Sequence, residues 1–178
     1  MPGVDASGFD PLQAARDPDR SSAIPSDIDI AGLGRRPNRS LVYLVHRDGQ
    51  IHRIILPVWG HGLWSMLHGF VALEPDANTI ADVTFYSHAE TPGLGDFISK
   101  PGWLALWHGK EVFDASGDVA IRVAKGRVSA DDRQAKYLVD GVSGATLTGN
   151  GVTNLMQYWF GDHGYGPYLH SLRGGIEP

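Results

Sequence analysis

Short segments rich in β-favouring residues recur between residues 41 and 139, and this pattern restricts the fold more than any other feature of the sequence. Asp48 and Gly49 separate the first two segments, and Asp-Gly between two such runs is a strong hairpin signal. We therefore expect a sheet rich in antiparallel strands. The predicted strands cover residues 41–45, 51–58, 70–73, 83–86, 119–124 and 137–139.

The clearest helix comes after the last predicted strand. Val152, Leu155, Met156 and Trp159 keep the i, i+3, i+4, i+7 spacing of one buried helix face, and Gly161 is suited to end that helix. Strands around one or two helices predict the α+β class.

The remaining segments are less regular. Residues 97–107 have helical character that Pro101 and Gly102 interrupt, and Pro167 with the Gly174–Gly175 pair predicts an irregular C-terminus. Residues 1–38 are polar and proline-containing, which predicts a flexible N-terminal segment that is partly disordered or loosely docked, with a short docked piece at Ile24, Ile28 and Ile30. A single α+β domain is therefore expected over residues 39–178.

Composition excludes several classes of function. The chain of 178 residues has a formal net charge of -5, and an acidic chain without a basic stripe is a poor nucleic-acid binder. It has no cysteine, so the chain cannot supply thiolate chemistry or ligate an iron–sulfur cluster through cysteine. No metal site is expected, because the eight histidines, including His61 and His68, show no ligand spacing. No apolar run approaches the length of a membrane span or a signal peptide.

Residues 140–146, Asp-Gly-Val-Ser-Gly-Ala-Thr, lie between the last predicted strand and the helix. Small residues let a backbone approach a phosphate closely, and the first-turn N–H groups of a helix attract negative charge. Ser and Thr are also common helix N-caps, and glycine is common in turns. The residues alone therefore leave two interpretations open, a capping turn and a phosphate site.

Segment 140–146 resembles the flavinylation motif of the FMN-binding domains in the sodium-translocating NADH:quinone oxidoreductases and the related Rnf complexes. The resemblance continues through residues 56–65, 69–76, 90–95 and 161–168 and covers about 41–175. The Gly-Leu-Trp sequence at 62–64 and the terminal motif are more similar to the NqrC family of the sodium pump than to its Rnf counterpart.

This resemblance implies a set of cofactor-binding residues and no catalytic side chain. In the family, FMN is held by a phosphoester to the last hydroxyl residue of the motif, which maps onto Thr146. A separate flavin transferase forms this bond from FAD with magnesium. Ser143, Gly144 and Ala145 are then expected beside the phosphate, and Leu147 is a further expected cofactor-binding residue. Residues expected near the flavin ring are Glu90, Thr91, Leu94, Gly95, Lys125 and Trp64.

Several of these residues have an alternative role. Lys125 would stabilise a reduced anionic flavin, but lysines at strand ends are commonly only solvated. Trp64 would pack on the ring, but a Trp among apolar residues is usually in a core. Glu90 would either orient its loop or bond to the flavin. Trp59, Trp103 and Trp107 are assigned to packing.

The function implied by the resemblance is an electron relay within a membrane complex that oxidises NADH, reduces ubiquinone and pumps sodium. Its partners would be the other proteins of the complex, its maturation enzyme the flavin transferase, and its location the periplasmic side of a bacterial inner membrane. The family's membrane anchor is absent from this chain, which we expect to be soluble. Two alternatives remain, a structural or assembly domain without flavin and a soluble flavin reductase with exchangeable FMN. No G-x-G-x-x-G motif follows a strand to support a dinucleotide site.

Overall fold

A four-stranded antiparallel sheet forms the centre of the fold. The computed structural model describes residue 6 and residues 8–174. The four strands lie in the sheet in chain order, each paired to its neighbour in sequence. Its strands are β3 (Tyr43–Arg47), β4 (Gln50–His61), β5 (Met66–Leu73) and β6 (Ile80–Ser87). The α+β class and the first four predicted strands are confirmed, although β4, β5 and β6 are longer than expected.

The turn between β3 and β4 has the backbone that its sequence predicts. Asp48 and Gly49 both have positive φ, 52° and 78°, as a two-residue type I′ hairpin requires. A one-residue shift in pairing follows between Val45 and His46. This turn sets the register in which the inner face of β4 enters the core.

The long helix α3 (Thr146–Phe160) packs against β4. All four predicted face residues are buried, and side chains of this size contribute roughly 1.5–3 kcal/mol each when removed from water. The Trp159 ring lies 4.2 Å from that of Trp59, and its Nε1–H donates to the Trp59 carbonyl at 2.6 Å. Gly161 caps the helix through its N–H, as expected.

The second half of the chain is less regular than predicted. Residues 97–107 do not form one helix but a 3-10 turn, the short helix α2 (Pro101–Leu104) and a second 3-10 turn, because Pro101 begins a new helix where the preceding turn ends. The strand expected at 119–124 is reduced to β7 (Arg122–Val123), which pairs in parallel with β8 (Leu138–Val139).

The C-terminus is helical rather than irregular over the described residues. Helix α4 (Gly166–Arg173) begins with Pro167 in its first turn, where a missing N–H costs nothing, and Leu169 is fully buried. Tyr165 precedes it and donates its hydroxyl to the Pro57 carbonyl at 2.8 Å. Gly174 follows the helix, while the predicted irregularity at Gly175 lies outside the described residues.

Residues 8–38 contain three short elements. Helix α1 (Pro11–Arg16) is capped by Asp10, and β1 (Ser21–Ala23) pairs with β2 (Arg35–Pro37). Ala14, Ile24 and Ala31 are buried within the core, and the His61 N–H donates to the Ala31 carbonyl at 2.8 Å. Residues 8–38 therefore lie docked on the domain, while their flexibility in solution stays a prediction.

Candidate functional site

The segment 140–146 connects β8 to α3 through a turn that depends on glycine. Gly144 has φ of +82°, a left-handed backbone that favours glycine. A Cβ at Gly141 would lie 1.9 Å from the Ala124 carbonyl oxygen, so that position accepts no side chain without movement of the backbone. The Trp103 Nε1–H donates to the Asp140 carbonyl at 2.8 Å and fixes the start of the segment.

Thr146 is the first residue of α3, and its side chain is exposed. The residue before it, Ala145, occupies the N-cap position, and no side chain among the described residues caps this helix. The first backbone bond across the helix start runs from the Gly149 N–H to the Ala145 carbonyl. The N–H groups of Thr146, Leu147 and Thr148 therefore have no partner within the helix, as is general for a first turn. Neither Ser143 nor Thr146 acts as the capping residue that one interpretation required.

The loop Glu90–Gly95 lies beside this turn. A Cβ at Gly144 would lie 3.4 Å from Leu94 Cδ2, and a Cβ at Gly95 would lie 2.8 Å from Thr148 Oγ1. The Thr91 carbonyl accepts from the N–H groups of Leu94 and Asp96, which closes the loop into a tight turn. Leu94 remains about half exposed at its tip.

A third segment, residues 62–65 between β4 and β5, is tied to the same place by Glu90. The Glu90 carboxylate is buried, with 4% of the residue exposed. Its Oε1 accepts from the N–H groups of Trp64 and Ser65, and its Oε2 accepts from the Leu63 N–H at 3.1 Å. Thr148 on α3 donates its hydroxyl to Oε2 at 2.6 Å. The structure therefore brings three separated parts of the sequence to one end of the sheet.

Exposed apolar side chains lie on the two loops and on the first turn of α3. Trp64 is 69% exposed and Leu147 60% exposed, so the alternative of a core position for Trp64 is wrong. Leu63 and Leu94 are also among the exposed large apolar side chains. By contrast Trp59, Trp103 and Trp107 are buried, as assigned from the sequence. Apolar exposure at a place rimmed by open N–H groups suits a ligand that is flat at one end and anionic at the other.

Lys125 lies in the exposed turn after β7. The Gly141 N–H donates to the Gly126 carbonyl at 3.0 Å, so this turn packs against the start of segment 140–146. The backbone thus places Lys125 at the same end of the molecule as the other predicted residues.

Four residues of this arrangement were missed in the sequence: Gly62, Ser65, Thr148 and, as a support for Asp140, Trp103. Thr148 follows the motif by two residues, and a threonine close to a helix start is itself a signal, because its hydroxyl seeks a local or buried partner. Gly62 allows close approach, since a Cβ there would lie 2.6 Å from Glu90 Oε1. Over the described part of the chain, no group of three or more His, Asp or Glu side chains is placed to hold a metal ion. Across the same residues, none of the helices has the length and apolarity needed to cross a membrane.

Residues 62–161 match the FMN-binding domain. The match begins at the Gly-Leu-Trp loop and ends at the glycine that caps α3, so it contains all three segments of the site.

Individual relatives agree with this match. The C subunit of the Na(+)-translocating NADH-quinone reductase of Pseudomonas aeruginosa is 50% identical over 171 residues, and that of Yersinia pestis is 49% identical over 172. The alignments cover 96% of this chain but only 66% and 64% of these relatives.

Two solved structures are also similar. The crystal structure of Shewanella oneidensis NqrC matches with a TM-score of 0.88 at 44% identity, covering 97% of this chain and 78% of that one. The corresponding reductase protein from Parabacteroides distasonis matches with a TM-score of 0.66 at 31% identity, covering 94% and 71%.

Proposed function

The chain belongs to the FMN-binding domain family and, within it, to the NqrC proteins of the Na(+)-translocating NADH-quinone reductases, and on that premise we propose that it carries FMN covalently on Thr146 as an electron relay. The observation that carries the proposal is the exposed Thr146 hydroxyl at the uncapped start of α3, beside exposed apolar side chains from two other segments.

The residues at this place fit FMN at both ends. The first-turn N–H groups of α3 and the exposed Ser143 hydroxyl would receive the phosphate, with the helix dipole favouring its charge. The side chains of Trp64, Leu94 and Leu147 offer an apolar surface for the isoalloxazine. Gly144 and Ala145 leave room for the phosphate, and Thr91 and Gly95 shape the loop that carries Leu94.

The positive charge of Lys125 would favour an anionic, reduced flavin. When bound, FMN supplies one-electron chemistry, and the protein contributes binding, orientation and electrostatics. No side chain is required as an acid, base or nucleophile in such a relay.

Attachment follows from the atoms involved. The Thr146 oxygen would displace AMP from FAD at the phosphorus nearer the flavin, so that one phosphoester forms, one phosphoanhydride bond breaks and the threonine proton is released. A flavin transferase with magnesium would catalyse this step. The exposure of Thr146 lets a second protein reach its hydroxyl in the folded domain.

At the level of the whole complex, we propose that the chain passes electrons between other redox proteins of an NADH:ubiquinone oxidoreductase that pumps sodium. The domain would lie on the periplasmic side of the bacterial inner membrane. A covalent tether suits this role, because the cofactor stays in place while its ring remains accessible to partners.

The proposal is tested by producing variants together with the cognate flavin transferase and measuring flavin fluorescence in a denaturing gel. Thr146→Ala should abolish the fluorescent band, because the acceptor oxygen is gone. Thr146→Ser should keep part of the signal and Ser143→Ala should reduce it without abolishing it. Thr84→Ala, which removes an exposed hydroxyl on β6, is the matched control and should label fully. A fluorescent Thr146→Ala band would refute the assignment of the acceptor.

A further inference from the structure

Glu90 is the point at which the three segments of the site meet. Its carboxylate lies between the loop 62–65, its own loop 90–95 and the first turn of α3. Five donors reach it: the N–H groups of Leu63, Trp64 and Ser65, the Ser65 hydroxyl at 3.3 Å and the Thr148 hydroxyl. An ionised carboxylate has about four lone-pair sites. The donors of the protein therefore use its full accepting capacity.

The backbone packs closely around the Glu90 carboxylate. A Cβ at Gly62 would lie 2.6 Å from Oε1, and one at Gly95 would lie 3.1 Å from Oε2. The Ser65 hydroxyl also accepts from the Ala89 N–H at 2.8 Å, which ties the end of β6 to the same loop. A buried polar network in which every member has a partner is rigid, whereas a partly satisfied one is costly.

The ionised state of Glu90 agrees with this geometry. Burial acts to raise the pKa of its carboxyl, but hydrogen bonds from Thr148 and from the backbone of residues 63–65 together outweigh burial and lower it. The carboxylate is therefore held by the loop and the helix as an anion.

We propose that Glu90 is a positioning residue, whose carboxylate fixes the Trp64 loop to the first turn of α3 and so assembles the flavin site before flavin is attached. The part of this inference that concerns flavin rests on the proposed function. Under this proposal Glu90 orients its loop and does not bond to the flavin, because its oxygens are already occupied by protein donors. The flavin would then be attached at a surface whose N–H groups and apolar side chains already have their final arrangement.

The first test needs no flavin. Amide hydrogen exchange of the flavin-free chain, measured by NMR, should show Leu63, Trp64 and Ser65 protected. In Glu90→Gln the side chain presents an NH₂ group to these donors, and their exchange should rise by about tenfold or more, as the loss of a charged acceptor implies. Amides of β4 and β5 should keep their protection. Glu74→Gln, which alters a half-buried carboxylate paired with Arg53 at 2.6 Å, is the matched control and should leave residues 63–65 unchanged.

The second test measures the rate of flavin attachment by the cognate transferase. Thr148→Val removes only the hydroxyl that joins Glu90 to α3, so attachment should slow by about fivefold or more, while Thr148→Ser should restore it. Folding of Thr148→Val is checked by the same amide spectrum, so this variant replaces Glu90→Gln if the latter does not fold.

Unchanged exchange at residues 63–65 in a folded Glu90→Gln chain would overturn the proposal, as would wild-type attachment rates in Thr148→Val. A wild-type chain that an active transferase leaves unlabelled would instead refute the proposed function. In that event the exchange experiment alone decides whether Glu90 holds the loop.

Discussion

The tryptophan side chains of this chain differ in solvent exposure, and the exposure of each indicates what that side chain contributes. Trp107 is 0% exposed, whereas most of the Trp64 side chain is open to solvent and only its backbone N–H is bound. We expect Trp107→Ala to lower the free energy of unfolding by about 3–5 kcal/mol, as for other large core truncations. Trp64→Ala should change it by no more than about 0.5 kcal/mol, yet alter the absorption spectrum of attached flavin. Urea denaturation of both variants checks this, and an equal loss in the two would contradict the assignment.

The Glu90 carboxylate predicts a pH dependence with a definite sign. Because its pKa in the folded chain lies below the ordinary value of 4.5, its ionised form stabilises the fold above that pH. This contribution is lost as pH falls from about 4.5 through the lower, folded pKa. The difference in unfolding free energy between the wild type and Glu90→Gln should therefore be largest near pH 6 and shrink toward pH 3. A difference that stays constant over this range would show that the carboxylate is not specifically stabilised.

Single residues were predictable where a motif gives them a position. The segment 140–146 locates Thr146 at a helix start, and the loop 90–95 locates Leu94 beside it. Thr148 was missed because its partner, Glu90, lies 58 residues away, and no local pattern contains that pairing. The role of Glu90 stayed open for the same reason.

At the scale of elements, the close contact between α3 and β4 determines the position of the candidate site. Gly151 on α3 faces β4 so closely that a Cβ would lie 2.5 Å from the His61 carbonyl and 2.8 Å from Gly62 Cα. Alanine would gain roughly 0.5–1 kcal/mol in helix propensity. Overpacking against backbone typically costs about 1–3 kcal/mol, so the steric term should prevail.

We therefore expect Gly151→Ala to destabilise the fold by about 1–2 kcal/mol in urea denaturation. Gly102→Ala is the control, because a Cβ at Gly102 in α2 would meet no atom within 4 Å. That variant should be neutral or slightly more stable, since it gains helix propensity alone. Stabilisation of the chain by Gly151→Ala would mean that α3 and β4 are farther apart than described.

The sequence could predict elements that follow from local patterns more readily than elements that depend on contacts between distant segments. The β3–β4 hairpin and the face of α3 follow from local patterns, a turn dipeptide and a helical spacing. Helix α4 was missed because Pro167 and the Gly174–Gly175 pair predict an irregular C-terminus, although proline is favourable in a first turn. Strands β7 and β8 have two residues each and depend on a parallel pairing between distant segments, which local propensity does not reveal.

At the scale of the whole molecule, the N-terminal segment and the residues of the proposed flavin site lie in different parts of the sequence. We propose that residues 39–178 form the FMN-binding unit and that residues 8–38 stabilise it by covering part of the core. Deletion of residues 1–38 removes Ala14, Ile24 and Ala31 from the core and leaves the His61 N–H without its acceptor. The shortened chain should unfold at a lower urea concentration but still be labelled by the transferase, because Trp64, Glu90 and Thr146 remain. Loss of labelling in a folded shortened chain would contradict this division.

Intact mass with peptide mapping of the wild-type chain tests most directly whether this protein carries FMN on Thr146. The chain is produced with and without its cognate transferase, in the presence of FAD and magnesium. With the transferase, we predict a mass increase of one FMN less one water, located on the peptide that contains Thr146, and no increase without it. An unmodified mass beside an active transferase, or FMN mapped to Ser143 or Thr148, would contradict covalent attachment at Thr146.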